Sequence, residues 1–178
     1  MNRKLLNSEL GRLTVEEFSK SRKIPVTVVL DNVRSQFNIG SVFRSSDAFA
    51  VERVILCGIS ATPPSAEIHK SALGAELSMQ WKHYDESKEA IAELKKEGYT
   101  IVSVEQTENS VTLSEFTPKE GERYAFVFGN EVHGVQQEVV DMSDLSIEVP
   151  QFGTKHSLNV SVCVGVVLWE VVRKLKIV

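Results

Sequence analysis

The sequence predicts an α/β fold with a mostly parallel central sheet in one compact domain, and three observations carry that reading. Short apolar, strand-like runs recur along the chain and alternate with stretches of helical pattern. The chain has 178 residues, 42% hydrophobic and 25% charged, enough to bury a single core. No internal repeat, low-complexity tract or evident linker divides it.

In chain order, Thr14-Val15-Glu16-Glu17 has the form of a capping box and opens an N-terminal helix. Strands are expected at 26–30, 53–57, 79–84, 100–104, 124–128 and 145–149, each rich in β-branched or aromatic residues. Residues 85–97 put Ala90, Ile91 and Leu94 on one helical face and stop at Gly98, a suitable C-terminal glycine. The segment 157–174 is almost uniformly apolar, so periodicity alone does not separate helix from strand. Its length favours a helix, as does a basic end at Arg173, Lys174 and Lys176 that complements the helix dipole. Apolar residues occur all round it, from Val160 to Val171, which calls for cover on more than one side. A homodimer interface is one such cover; a central core helix in a monomer is the other.

Composition excludes several classes. No apolar stretch of signal-peptide length follows Arg3 and Lys4, and the C-terminal apolar run is shorter than the roughly 20 residues a bilayer span needs, so a cytoplasmic protein is expected. Cys57 and Cys163 sit within apolar segments and read as small buried hydrophobes, and His69, His83, His133 and His156 have no ligand spacing, so no metal is expected. Net charge is −4, but it is unevenly spread. Residues 1–84 carry 11 Lys/Arg against 8 Asp/Glu, residues 85–144 carry 5 against 14, and residues 145–178 carry 4 against 2. A local basic face able to dock phosphates fits this pattern; so do acidic helices that merely solubilise one side.

Three loops, each following an apolar run, carry the chemistry-bearing residues. They are Asn38-Ile39-Gly40-Ser41-Val42-Phe43-Arg44, then Phe128-Gly129-Asn130-Glu131-Val132-His133-Gly134, then residues 149–160 with Pro150, Gly153, Ser157 and Asn159. In a parallel sheet such loops gather beyond the carboxyl ends of the strands, so they point to one composite site. Taken singly, Asn38 and Ser157 are equally good helix N-caps and Arg44 an ordinary surface ion. No Gly-x-Gly-x-x-Gly or Gly-Lys-Ser/Thr pattern is present, which argues against a dinucleotide fingerprint or a phosphate-loop NTPase.

Together these segments resemble the three motifs of the SpoU (TrmH-like) branch of the SPOUT RNA methyltransferases. The first is Asn38-x-Gly40 with Arg44 and Asp47-Ala48-Phe49. The second is Phe128-Gly129-Asn130-Glu131-x-x-Gly134. The third runs from Val149-Pro150 through Gly153 to Ser157-Leu158-Asn159-Val160-Ser161-Val162. The resemblance spans residue 26 to the C-terminus in order and spacing, with Ala50, Val135 and Gln151 replacing the commoner glycine, leucine and methionine.

The resemblance implies a Rossmann-like domain over 26–178 with a C-terminal deep trefoil knot, preceded by a short basic helical segment over 1–25. It implies a homodimer and S-adenosylmethionine as cofactor, held by Gly129, Val149 and Leu158 with Val104 and Pro150 nearby. The reaction implied is methylation of a ribose 2′-hydroxyl of structured RNA. By motif match Arg44 is the residue the family uses as its catalytic centre, described as a phosphate-assisted general base; because a guanidinium is rarely deprotonated, binding the phosphate beside the target ribose and orienting its hydroxyl is the safer role. Asn38 and Glu131 would steer Arg44 or the RNA, and Ser157 and Asn159 would fix the cofactor loop and the reacting group. The shortness of the N-terminal segment, with Arg3, Lys4, Arg12, Lys20, Arg22 and Lys23 against three glutamates, favours tRNA over rRNA. Two alternatives stand beside this: an inactive knotted RNA-binding scaffold, which should have lost Arg44, Glu131 or Asn159, and an unknotted nucleotide-binding enzyme, which should show a phosphate loop.

Overall fold

The computed structural model describes residues 2–175, so Lys176, one of the three basic residues expected at the C-terminal end, lies outside the described residues. Thr14 opens α1 (Val15–Lys20) with a complete capping box: Glu17 N donates to Thr14 Oγ1 and Thr14 N donates to Glu17 Oε2. Then follow β1 (Ile24–Asp31), α2 (Gln36–Ala48), β2 (Val51–Cys57), α3 (Ala66–Ala72), α4 (Ala75–Ser78) and β3 (Gln80–Tyr84). The second half holds α5 (Ser87–Lys96), β4 (Tyr99–Val104), β5 (Val111–Thr112), β6 (Arg123–Phe128), α6 (Gln137–Met142), β7 (Leu145–Glu148) and α7 (Val160–Lys174).

The strands form one sheet in the order β3-β2-β1-β6-β4-β7-β5, and every pairing is parallel. The six expected strands are all present, with ends shifted by a residue or two. β5, with two residues, is too short to leave a pattern in the sequence. β1 starts earlier than expected, at Ile24, and tolerates Pro25 through a register irregularity before Thr27. Proline brings no N–H to a ladder, which is why it sits at the strand's start.

Central strands are buried on both faces and so read as continuous apolar runs. Val26, Val28 and Leu30 of β1, with Tyr124, Phe126 and Phe128 of β6, join the core under α2, α3 and α7. Val29, Ala125 and Val127 point the other way, to the smaller core with Ala90, Ile91 and Leu94 of α5 and Val139 of α6. The result is three layers, helix–sheet–helix.

Two helix starts differ from the sequence reading. Ser35, not Asn38, caps α2, accepting from Asn38 N at 3.3 Å. Asn159, not Ser157, caps α7, its Oδ1 accepting from Ser161 N and Val162 N, so the helix begins at Val160 and Ser157 stays in the loop. α7 buries Val160, Val164, Val167, Leu168, Val171 and Val172 against the sheet, while Val162, Val166 and Trp169 are exposed. Among the described residues no helix is long and apolar enough to cross a membrane.

Candidate active site

The sheet reverses its winding between β1 and β6, where β1–β2–β3 run outward on one side and β4, β7 and β5 on the other. Such a reversal leaves a crevice beyond the strand ends. A cleft of about 460 Å³ opens on the β6 side of it, walled by the ends of the adjacent strands β6, β4 and β7 at Phe128, Val104 and Glu148. Gly129, Glu131, Val149, Ser157, Leu158 and Asn159 line it too, so the second and third motif loops meet as the sequence predicts. Pro150 is exposed and does not line the cleft, although its neighbour Val149 does.

The second loop is a tight, self-supported turn. Asn130 Oδ1 accepts from Val132 N and His133 N at 2.9 and 2.8 Å, and Asn130 and Gly134 close a short antiparallel bridge. A Cβ at Gly129 would lie 1.9 Å from the Gly134 carbonyl carbon, so this glycine is required by the loop packing against itself. The loop's exit is held by two carboxylates. Glu105 Oε2 accepts from Val135 N at 2.9 Å. Asp31, fully buried, accepts from Gln136 N, Gln136 Nε2, Ser87 Oγ and Asn32 Nδ2, which ties β1, α5 and α6 together beneath the site. A buried carboxylate is tolerated because those donors replace its water.

A chain of amides and one carboxylate joins all three motifs. Asn38 Nδ2 donates to Glu131 Oε1 at 2.8 Å, and Asn159 Nδ2 donates to Asn38 Oδ1 at 3.1 Å. Asn159 thus uses its oxygen to cap α7 and its nitrogen to grip Asn38 on α2, 121 residues away in sequence. The other Glu131 oxygen makes no hydrogen bond among the described residues. Ser157 also lines the cleft with its hydroxyl unbonded among them.

Arg44 is not part of this constellation. It lies six residues beyond Asn38 on α2, which rotates it about 240° around the helix and carries it ~9 Å along the axis. It is exposed and lines a different cavity, of about 610 Å³, between the N-terminal segment, α2 and the α3–α4 turn, together with Arg12. Neither arginine has a carboxylate partner among the described residues, whereas Arg3, Arg53, Arg123 and Arg173 each do.

Four cleft residues escaped the sequence reading: Glu105, Gln106, Glu148 and Cys163. The first three follow or end predicted strands, which is where ligand-facing side chains belong, and that position was the available signal. Gln106 Nε2 donates to His156 O at 3.1 Å and so braces the third loop. Cys163 is half-buried in the cleft wall; burial, then the charge of Glu105, pushes its thiol up to about 11. Cys57 is a buried hydrophobe, as expected, its thiol pushed up to about 12 by burial.

The profile of the SpoU rRNA Methylase family matches residues 25–169. A tRNA (guanosine(18)-2'-O)-methyltransferase of Aquifex aeolicus is 30% identical over 173 residues, covering 96% of this chain and 78% of that protein. The 23S rRNA (guanosine-2'-O-)-methyltransferase RlmB of Nitrosomonas europaea is 32% identical over 166 residues, covering 90% of this chain and 61% of that one. Among solved structures, the TrmH/SpoU tRNA modifying enzyme of A. aeolicus superposes with a TM-score of 0.80 at 26% identity, over 91% of this chain and 81% of that one. An AdoMet-bound rRNA methyltransferase from Sinorhizobium meliloti shares the fold, with a TM-score of 0.79 at 24% identity over 89% of this chain and 60% of that one. With a family profile matched across nearly the whole sheet and all three motif loops, the chain belongs to the SpoU methylase family.

Proposed function

We propose that this protein transfers a methyl group from S-adenosylmethionine to a ribose 2′-hydroxyl of RNA, tRNA before rRNA. The observation that carries the reading is the bridge Glu131–Asn38–Asn159, which ties the first motif, on α2, to the two motif loops that line the cleft. tRNA comes first because the match covers 78% of the tRNA-modifying relative against 61% of the rRNA-modifying one, and 81% against 60% of the corresponding solved structures.

The cleft suits the cofactor. Its volume, about 460 Å³, is that of a small-molecule site, and Val104, Val149, Leu158 and Val160 give it apolar walls. The backbone of 149–158 makes no backbone–backbone hydrogen bond among the described residues, so apart from the His156 carbonyl, which accepts from Gln106 Nε2, its polar groups are available to a ligand. Gly129, Val149 and Leu158 would hold the cofactor, with Val104 beside them and Pro150 stiffening the turn after β7. When bound, S-adenosylmethionine supplies a methyl group already activated by positive sulfur.

The chain's own residues then align the acceptor, whose proton passes to solvent. The unbonded Glu131 oxygen accepts a hydrogen bond from a ribose hydroxyl and orients it. Asn38 and Asn159 hold that carboxylate in place. Ser157, with its unbonded hydroxyl on the cleft wall, contacts the cofactor loop or the reacting ribose. Arg44 binds the adjacent phosphate through its planar fork of donors and stays protonated throughout.

Arg44 lies away from its own cleft, and the apolar residues Val162, Val166 and Trp169 of α7 are exposed in a single chain. Both are explained by a homodimer built on α7 in which a second copy brings Arg44 to the cleft. The segment 2–20 adds Arg12 to the Arg44 cavity and serves as a short basic grip on RNA, ahead of a catalytic domain that starts at β1.

The C-terminal trefoil knot is supported by two contacts on the 105–122 connection. Gln106 holds the third loop at His156, and Lys174 Nζ at the end of α7 donates to the carbonyls of Leu113, Ser114 and Phe116. A cytoplasmic site of action suits an RNA-modifying enzyme with two unpaired cysteines.

The test is transfer of labelled methyl from S-adenosylmethionine to unmodified tRNA and rRNA pools, followed by nucleoside analysis. A 2′-O-methylated nucleoside from the tRNA pool is expected. Cofactor binding without transfer to either pool would replace this reading with that of a knotted RNA-binding scaffold.

A further inference from the structure

The charge of the cleft poses a problem that the motif residues do not answer. Its lining holds three carboxylates, Glu105, Glu131 and Glu148, and neither lysine nor arginine; His133 and His156 are its only other titratable groups besides Cys163. Glu105 and Glu148 each follow directly on Val104 and Ile147, partners in register on the neighbouring strands β4 and β7. Two like charges therefore stand on neighbouring strands at their carboxyl ends. Elsewhere the chain pairs such carboxylates with cations: Glu97 with Arg53, Glu52 with Arg123, Glu93 with Lys82. Among the described residues neither Glu105 nor Glu148 has one. Glu105 is held instead by the backbone, accepting from Gln106 N and Val135 N, both at 2.9 Å. That fixes its charge in position without neutralising it. Its field reaches into the cleft, since it reinforces burial in raising the Cys163 thiol. A fixed, uncompensated pair of negative charges in a crevice favours a cationic ligand over a neutral one of the same shape.

The methyltransferase reading supplies two such ligands. Transfer to a ribose oxygen forms a C–O bond and breaks the S–CH₃ bond, whose electron pair stays on sulfur, while the hydroxyl proton passes to solvent. Sulfur is a cation before the step and a neutral thioether after it. Substrate and product are otherwise alike and compete for one site. We propose, resting on that reading, that Glu105 and Glu148 are specificity-determining residues that make the cleft prefer the sulfonium form and release the thioether product. They stabilise the charged cofactor and give the spent one no equivalent attraction.

Isothermal titration of the full chain with S-adenosylmethionine and with S-adenosylhomocysteine tests this without any turnover. The wild type should bind the sulfonium form more tightly, and the preference should shrink as salt is raised. Glu148→Gln removes a charge whose side chain makes no hydrogen bond among the described residues, so the fold should not suffer. It should cut the preference about fivefold, through weaker binding of the sulfonium form alone. Glu105→Gln should do the same and also weaken both ligands, because one of its two backbone contacts is lost. An unchanged preference in Glu148→Gln, or equal weakening of both ligands, would overturn the proposal and leave the methyltransferase reading standing. A wild type that binds neither ligand would overturn both.

Discussion

The cleft and the cavity beneath the N-terminal segment differ in charge and lining. The cleft at the ends of β4, β6 and β7 is lined by three carboxylates, apolar walls and unpaired loop backbone. The cavity beneath the N-terminal segment holds two guanidiniums, Arg12 and Arg44, near the exposed leucines Leu73 and Leu77. One suits a small cation, the other the phosphates of a polyanion. Within a chain α2 turns Asn38 toward the cleft and Arg44 away from it. The difference is what the proposed homodimer answers: on that proposal each chain carries two half-sites, and assembly joins them.

The largest effect should come from Arg44. Arg44→Lys keeps the charge but loses the bidentate fork, and methyl transfer should fall by about a hundredfold or more while S-adenosylmethionine affinity, read by calorimetry, stays within about twofold. Near-full turnover in that variant would remove Arg44 from the mechanism. Mixing sharpens the point: coexpressed Arg44→Ala and Asn159→Ala chains should recover about a quarter of wild-type activity if half-sites are shared across a dimer. No recovery would place each site within one chain.

Next comes the surface that would join the half-sites. Val166→Asp puts a charge in the exposed stripe of α7, and sedimentation should show monomer with activity down about tenfold or more. An unchanged dimer would move the interface elsewhere. Smaller still is the cost of Asn159→Ala to the fold. Loss of the α7 cap should lower stability by about 1 kcal/mol in chemical denaturation, while activity falls further because the grip on Asn38 goes too. The smallest effect concerns Cys163. With its thiol pushed up to about 11, its thiolate at pH 8 should be about a hundredfold scarcer than that of an ordinary cysteine, and iodoacetamide should leave it unmodified in the folded protein by mass spectrometry.

The sheet was legible because its central strands are buried on both faces and so are written as unbroken apolar runs at β1 and β6. β5 was not, since two residues leave no period, and α3 and α4 were not, because Leu73 and Gly74 break them into pieces shorter than a helical pattern. At the site, Gly129, Glu131, Val149, Leu158 and Asn159 were found through motif spacing and do line the cleft. The helix caps were misplaced by two or three residues because Ser35, Asn38, Ser157 and Asn159 are all good cap formers, and only tertiary contacts decide which oxygen is free for the task. The Arg44 displacement was out of reach for a different reason: facing is set by helix rotation and is silent in a motif. Glu105 and Glu148 were passed over because neither belongs to any of the three motifs.

One consequence of the strand order concerns how the chain is made. β6, residues 123–128, sits at the centre of the sheet between β1 and β4, yet it is synthesised after five of the other six strands. Until it emerges, the two wings β3-β2-β1 and β4 have no common edge, and each exposes an unpaired strand rich in valine and isoleucine. Folding to completion must therefore wait for most of the polypeptide to leave the ribosome. Non-local pairing of this kind makes acquisition of the native state slow. A chaperone that shields the β1 and β4 edges during translation would raise the yield of active protein more than one acting after release.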